Sequence, residues 1–426
     1  MDINSIFVNL KNLTLSFKKN ILDVVFSRRM VVSLLMGFSC GVPLLLTMGV
    51  LQAWMKQENI DITKIGLISL VQIPYTWKFL WAPIFDRFIP PFLGRRRGWL
   101  IVAQLFLMIS IAGLGFADPG RNLWITVLAA ILVAFFSASQ DIVVDAYRRE
   151  DLSDNELGLG SSMYIYGYRV GMLLASGGGF ILADIISFSN VYLVMALCIL
   201  PGILTTIFTT EPKILVSVPK NFQEAVIQPL YEYFTRKDAL WILAFILFYK
   251  IGDAMASTMT TPFYLEIGFS NTEIGAVVKL FGFWATIAGI SIGGLLMLKL
   301  GIYPSLWIFG LLQAASTACF AVLAHIGYNI TLLSAVISFE NITSGMGTSA
   351  YVAFMASITN KKFTATQYAL LTSLMGIPRV LLSAPTGYIA KDIGWENFFI
   401  FCTLVAVPGM LLLLKIGYKE NSKNIR

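Results

Sequence analysis

The feature that most restricts this chain is the recurrence of apolar runs long enough to cross a bilayer. A spanning helix needs about 20 apolar residues. Runs bounded by charge or by Pro, Gly and Asn fall at 30–54, 65–85, 99–117, 122–147, 161–184, 191–210, 239–265, 272–298, 302–324, 329–357, 366–390 and 397–414. Only 13% of residues are charged and 57% are hydrophobic, against about 25% charged in ordinary soluble domains. A water-soluble globular protein and a disordered one are both excluded. The expected fold class is an all-α integral membrane protein with twelve transmembrane helices. The connections leave no room for a soluble domain, and the sequence contains no G-x-x-x-x-G-K-[ST], so an ATP-driven pump is excluded as well.

The net charge of +7 reads as loop chemistry rather than nucleic-acid binding. With twelve spans, 22 of the loop Lys and Arg residues fall on the side of both termini and 4 on the other, namely Lys56, Lys64, Arg121 and Lys391. The positive-inside rule then places both termini in the cytoplasm. Residues 1–30 lack the short apolar core and small-residue cleavage site of a signal peptide, so the first run is expected to remain as a span. Within 1–29, Lys18, Lys19, Arg28 and Arg29 alternate with Phe7, Leu10, Phe17, Leu22 and Phe26, the pattern of a surface-lying amphipathic helix.

Three features recur at nearly one offset. Ile65-Gly66 matches Ile274-Gly275, Arg169 matches Arg379, and Gly179 with Asp184 matches Gly387 with Asp392. This is the trace of a duplicated six-helix unit, the architecture of transporters that rock two halves about a midplane site. The expected organisation is a cytoplasmic segment 1–29, a six-helix bundle 30–210, a cytoplasmic linker 211–238, a second bundle 239–414 and a tail 415–426. Gly177, Gly178 and Gly179, and the pair Gly289 and Gly293, read as close helix-packing points.

Nine ions fall inside spans: Lys78, Arg169, Lys250, Lys279, Arg379, Asp141, Asp145, Asp253 and Glu340. Each costs about 2.5–3.5 kcal/mol at a span centre facing lipid. They must therefore line a cavity or pair with one another. Lys78, Asp141 and Arg169 lie at one depth, roughly 10–12 Å from the Lys/Arg-rich helix ends, and are expected to meet. Lys250, Asp253, Glu340 and Arg379 fall nearer the midplane.

Asp141 and Asp145, four residues apart, share one helical face and repel when both are ionised, a setting suited to taking up and releasing a proton. Asp141, Asp145, Asp253 and Glu340 are the proton-coupling candidates. The competing reading locks Asp145 to Arg148 or Arg149 and Asp141 to Arg169, and lets Lys250 and Asp253 neutralise each other. Cations at depth suit an anionic substrate group, and Trp54, Tyr75, Trp77, Tyr164, Tyr168, Tyr249 and Trp284 offer flat faces for sugar rings, though packing and interfacial belts account for most membrane aromatics. The substrate-binding candidates are Lys78, Arg169, Lys250, Arg379, Tyr75, Trp77, Gln140, Tyr164, Tyr168 and Tyr249. After the second span, Asp86 and Arg87 precede Arg95, Arg96 and Arg97, an acid and a basic cluster able to latch neighbouring helices in one access state. Cys40, Cys198, Cys319 and Cys402 lie in apolar runs at no metal-ligand spacing and read as filler. His325 has no second ligand near it in sequence, so no metal or other cofactor is expected.

The connection 86–97 resembles the Gly-x-x-x-Asp-Arg-x-Gly-Arg-Arg motif between the second and third helices of the major facilitator superfamily, with Ile89-Pro90-Pro91-Phe92-Leu93 inserted. Pro74 to Pro83, Leu93 to Trp99, and Phe135 to Asp141 with Asp145-Ala146-Tyr147-Arg148 resemble the AmpG-type muropeptide permeases. That resemblance implies a bacterial inner-membrane, proton-driven importer of GlcNAc-1,6-anhydroMurNAc and its muropeptides for peptidoglycan recycling. It implies the two-bundle fold, a partnership with protons, the bilayer and a small-molecule substrate, a monomer, and no enzymatic activity. The Gln140-Asp141/Asp145 motif also resembles eukaryotic acetyl-CoA transporters, which keeps a transporter of an acyl-CoA-like or other organic anion as the alternative. A membrane-embedded transferase is the remote alternative, since the single His and the 211–238 loop supply no acid/base constellation.

Overall fold

The computed structural model describes residues 25–60, 64, 68–212, 222–270, 273–377 and 385–414. Ile65-Gly66, Arg379 and most of the 1–29 segment lie outside them. Long helices occupy the expected first span (Arg28–Gln57), third (Arg95–Phe116), fourth (Leu123–Asp151), sixth (Phe188–Phe208), seventh (Ala239–Glu266), eighth (Ile274–Leu300), ninth (Ile302–Ile326) and tenth (Ile330–Ile358). The fifth runs from Leu157–Leu173 through a widened π turn, Leu174–Gly178, into Gly179–Ala183. The eleventh begins as Thr364–Ile377, and Gly394, at φ +78°, turns the chain from its far end into the twelfth. Helices three and five begin earlier than their apolar runs, because a helix extends into the polar interface while apolarity stops at the hydrocarbon edge.

The second span is built differently. Ile68–Gln72 and Lys78–Leu80 are tight 3-10 turns between short helices Ile73–Trp77 and Ala82–Arg87. Pro74 and Pro83 each open one of these helices. A proline lacks the amide needed for the preceding turn and disfavours helical backbone just before it, so continuous winding fails here. The break leaves Lys78 in a turn and buried, 6% exposed.

Duplication is visible in backbone detail. Gly94 (φ +88°) precedes the third span and Gly301 (φ +79°) the ninth, both in the left-handed region that favours glycine. Asn122 caps the fourth span, its side chain accepting from the amides of Trp124 and Ile125, and Asn329 caps the tenth in the same backbone conformation, accepting from Leu332.

Close packing occurs at other glycines than some of those expected. Gly289 and Gly293 do face the backbone of the tenth span at Ile342 and Met346. Gly177 and Gly178 instead lie in the π turn of the fifth span with room for a side chain. The tightest crossing joins spans one and five, where Gly37 and Gly41 meet the carbonyls of Tyr164 and Tyr168, and Gly167 and Gly171 meet those of Leu34 and Phe38. Two reciprocal small-xxx-small pairs bring the backbones together. Gly167→Val puts a branched side chain into the Leu34 carbonyl and is expected to cost more than about 3 kcal/mol, beyond ordinary overpacking. Thermal unfolding in detergent checks this, and an unchanged melting temperature would contradict it.

Candidate functional site

Two ionic clusters and one latch account for most charges inside the spans. The first cluster forms where the broken second span faces the fourth. Asp141 and Asp145 are 7% and 5% exposed. Lys78 lies close enough to act on the charge of both, and Asp145 acts on Asp141. Asp145 is held by Arg148, whose Nη2 donates to its Oδ1 at 3.1 Å. Arg149, the other expected partner, turns away to Asp154 at 2.8 Å. The cation facing Asp141 is Lys78, where Arg169 was the expected lock. The Tyr168 hydroxyl lies within electrostatic reach of both Arg169 and Asp141. One oxygen of Asp141, Oδ1, is buried with no hydrogen-bond partner among the described residues.

Around this pair, Gln140 is fully buried and faces the first span, its Oε1 accepting from Ser39 Oγ at 3.3 Å and its Nε2 donating to Cys40 Sγ at 3.2 Å. Cys40 also touches Asp141, so this thiol is part of the cluster rather than filler. Nothing in its sequence context marks it, because its partner is 101 residues away. Tyr75 brings a buried hydroxyl close to Ser137, and Tyr164 and Tyr168 stand 6.1 Å apart, centroid to centroid, on the fifth span. Trp77 does not join them, being 54% exposed. Trp81 takes the inward place: its Nε1 donates to Ser139 Oγ at 3.0 Å and its ring packs on Phe135. Trp54 packs against Phe188 and Tyr192, and Trp284 is 60% exposed.

In the second half, Lys250 Nζ lies 3.2 Å from Asp253 Oδ2 and donates to Gln313 Oε1 at 3.0 Å. Glu340 from the tenth span accepts from Ser316 Oγ at 2.5 Å. Tyr249 stacks on Tyr351 and donates to the Leu306 carbonyl at 3.0 Å, which makes it a packing residue as well as a neighbour of Asp253. Lys279 is exposed.

The latch lies at the Lys/Arg-rich end. Asp86 is fully buried and pairs with Arg96 Nη2 at 2.7 Å. Its carboxylate also receives the amides of Ala365 (3.2 Å) and Thr366 (2.9 Å) and the Thr366 hydroxyl (2.7 Å), so it sits on the N-terminus of the eleventh span. A carboxylate is favoured there because the first helical amides have no partners of their own and carry the positive end of the helix dipole. Arg96 and Arg95 both reach Glu150, while Glu211 accepts from the amides of Arg96 and Arg97 and caps the third span. Arg97 holds the carbonyls of Thr206 and Ile207, and Arg87 lies over Phe88. Two more contacts cross between halves at this end: Arg148 Nη2 donates to Tyr368 Oη at 2.8 Å, and Arg149 to the Ser357 carbonyl. Gly158 and Ser162 of the fifth span press on Met297 and Gly294 of the eighth. This end of the protein is closed. Thr366 and Tyr368 carry no charge and belong to no motif, so nothing in their residue types marks their part in it.

A family model described as Major Facilitator Superfamily matches residues 30–383. The anhydromuropeptide permease of Escherichia coli (strain K12) is 44% identical over 389 residues, covering 91% of this chain and 79% of that protein. A putative transporter, AmpG 1 of Rickettsia bellii (strain RML369-C), is 34% identical over 409 residues, covering 92% of this chain and 99% of its own length. Among solved structures, the MFS proton:xylose symporter XylE bound to 6-bromo-6-deoxy-D-glucose has a TM-score of 0.71 at 11% identity over 91% of this chain and 95% of that one. At that identity the likeness is one of fold: twelve helices in two six-helix bundles. This multi-pass membrane protein belongs to the major facilitator superfamily, among its AmpG-type permeases.

Proposed function

We propose that the protein is a proton-driven importer of anhydromuropeptides, working by alternating access between the bundles 30–210 and 239–414. The substrate class rests on the similarity to the Escherichia coli permease. The mechanism rests on one observation: Asp141 is buried opposite Lys78 with an oxygen that no other described residue bonds. The excess of basic residues at the closed end assigns that end to the cytoplasm, in a bacterial inner membrane with both termini inside. The structure then corresponds to the state that loads from the periplasm, and the protein works as a monomer.

Coupling follows from charge balance. While Asp141 is ionised it neutralises Lys78, and neither is available to a ligand. A proton on Asp141 frees the ammonium, which then binds a substrate carboxylate, of the muramyl or the peptide part. The site is neutral when both proton and substrate are present and when both are absent. With only one aboard, an unpaired charge sits in a desolvated place, which opposes passage between the access states. Tyr75, Tyr164 and Tyr168 line the same region and offer ring faces to the sugars. Arg169, Lys250 and Arg379 remain candidates for further anionic groups on longer peptides.

Counterflow of labelled GlcNAc-1,6-anhydroMurNAc in proteoliposomes tests the substrate class. Unlabelled anhydromuropeptide is expected to compete and acetyl-CoA to leave the flux unchanged. Competition by acetyl-CoA alone would move the assignment to an acyl-CoA-like anion.

A further inference from the structure

The coupling scheme above leaves the ionic cluster of the second half unused. That cluster contains one cation, Lys250, and two carboxyls, Asp253 and Glu340. Lys250 holds Asp253 Oδ2 and Gln313 Oε1. Glu340 receives the Ser316 hydroxyl, which in turn accepts from Thr343 Oγ1 at 3.0 Å. Glu340 also lies close enough to Asp253 to act on its charge. Among the described residues, Tyr249, Tyr264 and Cys319 are further titratable groups facing the two acids.

Two neighbouring carboxylates repel when both are ionised, which favours a proton on one of them. Charge counting agrees: Lys250 neutralises one acid and leaves the other in need of a cation. A metal ion fits this place poorly, because the Lys250 ammonium already occupies the oxygen set and would repel a second cation at contact distance. A proton needs no coordination shell. Gln313 supplies an independent pointer. It is 6% exposed and its Nε2 has no partner among the described residues, while its Oε1 is held on Lys250. An unused buried donor at this spot is what an acid requires once its proton has left.

We propose that Asp253 and Glu340 form a second proton site, which carries one proton of its own in each cycle beside the one carried by Asp141. This rests on the proton-driven reading. Two protons per substrate change the energetics of accumulation in a way one experiment reads. With the membrane potential clamped at zero, each proton moving down one pH unit sustains about tenfold accumulation, since tenfold in concentration and one pH unit are the same free energy. Wild-type protein in proteoliposomes is therefore expected to accumulate labelled anhydro-disaccharide about a hundredfold per pH unit. Glu340→Gln keeps a donor toward Asp253, mimics the loaded acid permanently, and is expected to accumulate only about tenfold. A wild-type ratio near tenfold, or equal ratios for the two proteins, overturns the proposal. A wild type that accumulates nothing overturns the proton-driven reading itself, and this site with it.

Infrared spectra of the purified proteins supply a readout that does not depend on transport. A protonated-carboxyl stretch is expected in the wild type and in Asp141→Asn, and is expected to be lost in both Glu340→Gln and Asp253→Asn. Persistence of that band in both second-half variants overturns the proposal even if one of them transports poorly.

Discussion

An Asp141→Asn protein is expected to exchange substrate across the membrane and to be unable to concentrate it. The amide has nearly the shape of the carboxyl, takes up no proton, and never neutralises Lys78. The ammonium then stays available to the substrate in both access states, so counterflow persists. Accumulation under a gradient of one pH unit collapses to unity, because the empty carrier, with Lys78 left unpaired in a desolvated place, is opposed from returning and only exchange remains, whatever proton the second half carries. Asp145→Asn gives a different result although its acid lies one turn away. Asp145 holds Arg148, which is 2% exposed, stacked on Tyr164 at 4.5 Å and bonded to Tyr368. Removing one partner of a buried pair leaves the other charge uncompensated and costs about 3–5 kcal/mol. Loss of protein from the membrane is therefore expected for Asp145→Asn, and loss of coupling with normal protein levels for Asp141→Asn. Unchanged accumulation by Asp141→Asn would remove this residue from the mechanism.

Asp86→Asn is expected to open the closed end. Asp86 compensates Arg96 within the first half and the helix terminus of the second half at once, and only the second of these bonds breaks when the halves part. Arg96 keeps Glu150 in the variant, so the first bundle stays folded. What is lost is a charged acceptor for two amides and a hydroxyl, worth about 3 kcal/mol for charge-assisted bonds in a buried place. That corresponds to roughly a hundredfold shift toward the state open at this end. Spin labels at Phe88→Cys and Lys362→Cys, both at this end and in different halves, read the change. The distance distribution is expected to move to longer values in Asp86→Asn, with slowed uptake because reclosure is weakened. An unaltered distribution would show that the latch does not set the equilibrium.

Much of this arrangement was legible in the sequence because bilayer physics is strict. Apolar length locates the spans among the described residues, and the depth of Lys78 and Asp141 along their runs already brings the two to one level. The spacing of Asp145 and Arg148, and of Lys250 and Asp253, was sufficient to pair them, since residues three apart on a helix are neighbours. What was illegible depends on contacts across the bundle. Cys40 reads as one more apolar residue until the first span crosses the fourth, and Glu211 reads as the end of a helix until it caps the third span. Depth alone offers both Arg169 and Lys78 to Asp141, and it is Lys78 that acts on its charge. The Asp86 latch was foreseen as an acid beside a basic cluster, but its second partner is a helix terminus, made of backbone groups that no residue type announces.

The most direct test of the central claim is uptake of labelled GlcNAc-1,6-anhydroMurNAc into proteoliposomes holding the purified protein, with and without an inwardly directed proton gradient. Accumulation above the external concentration that requires the gradient and vanishes with a protonophore is the result this account predicts. Equilibration to the same level with and without the gradient would contradict it.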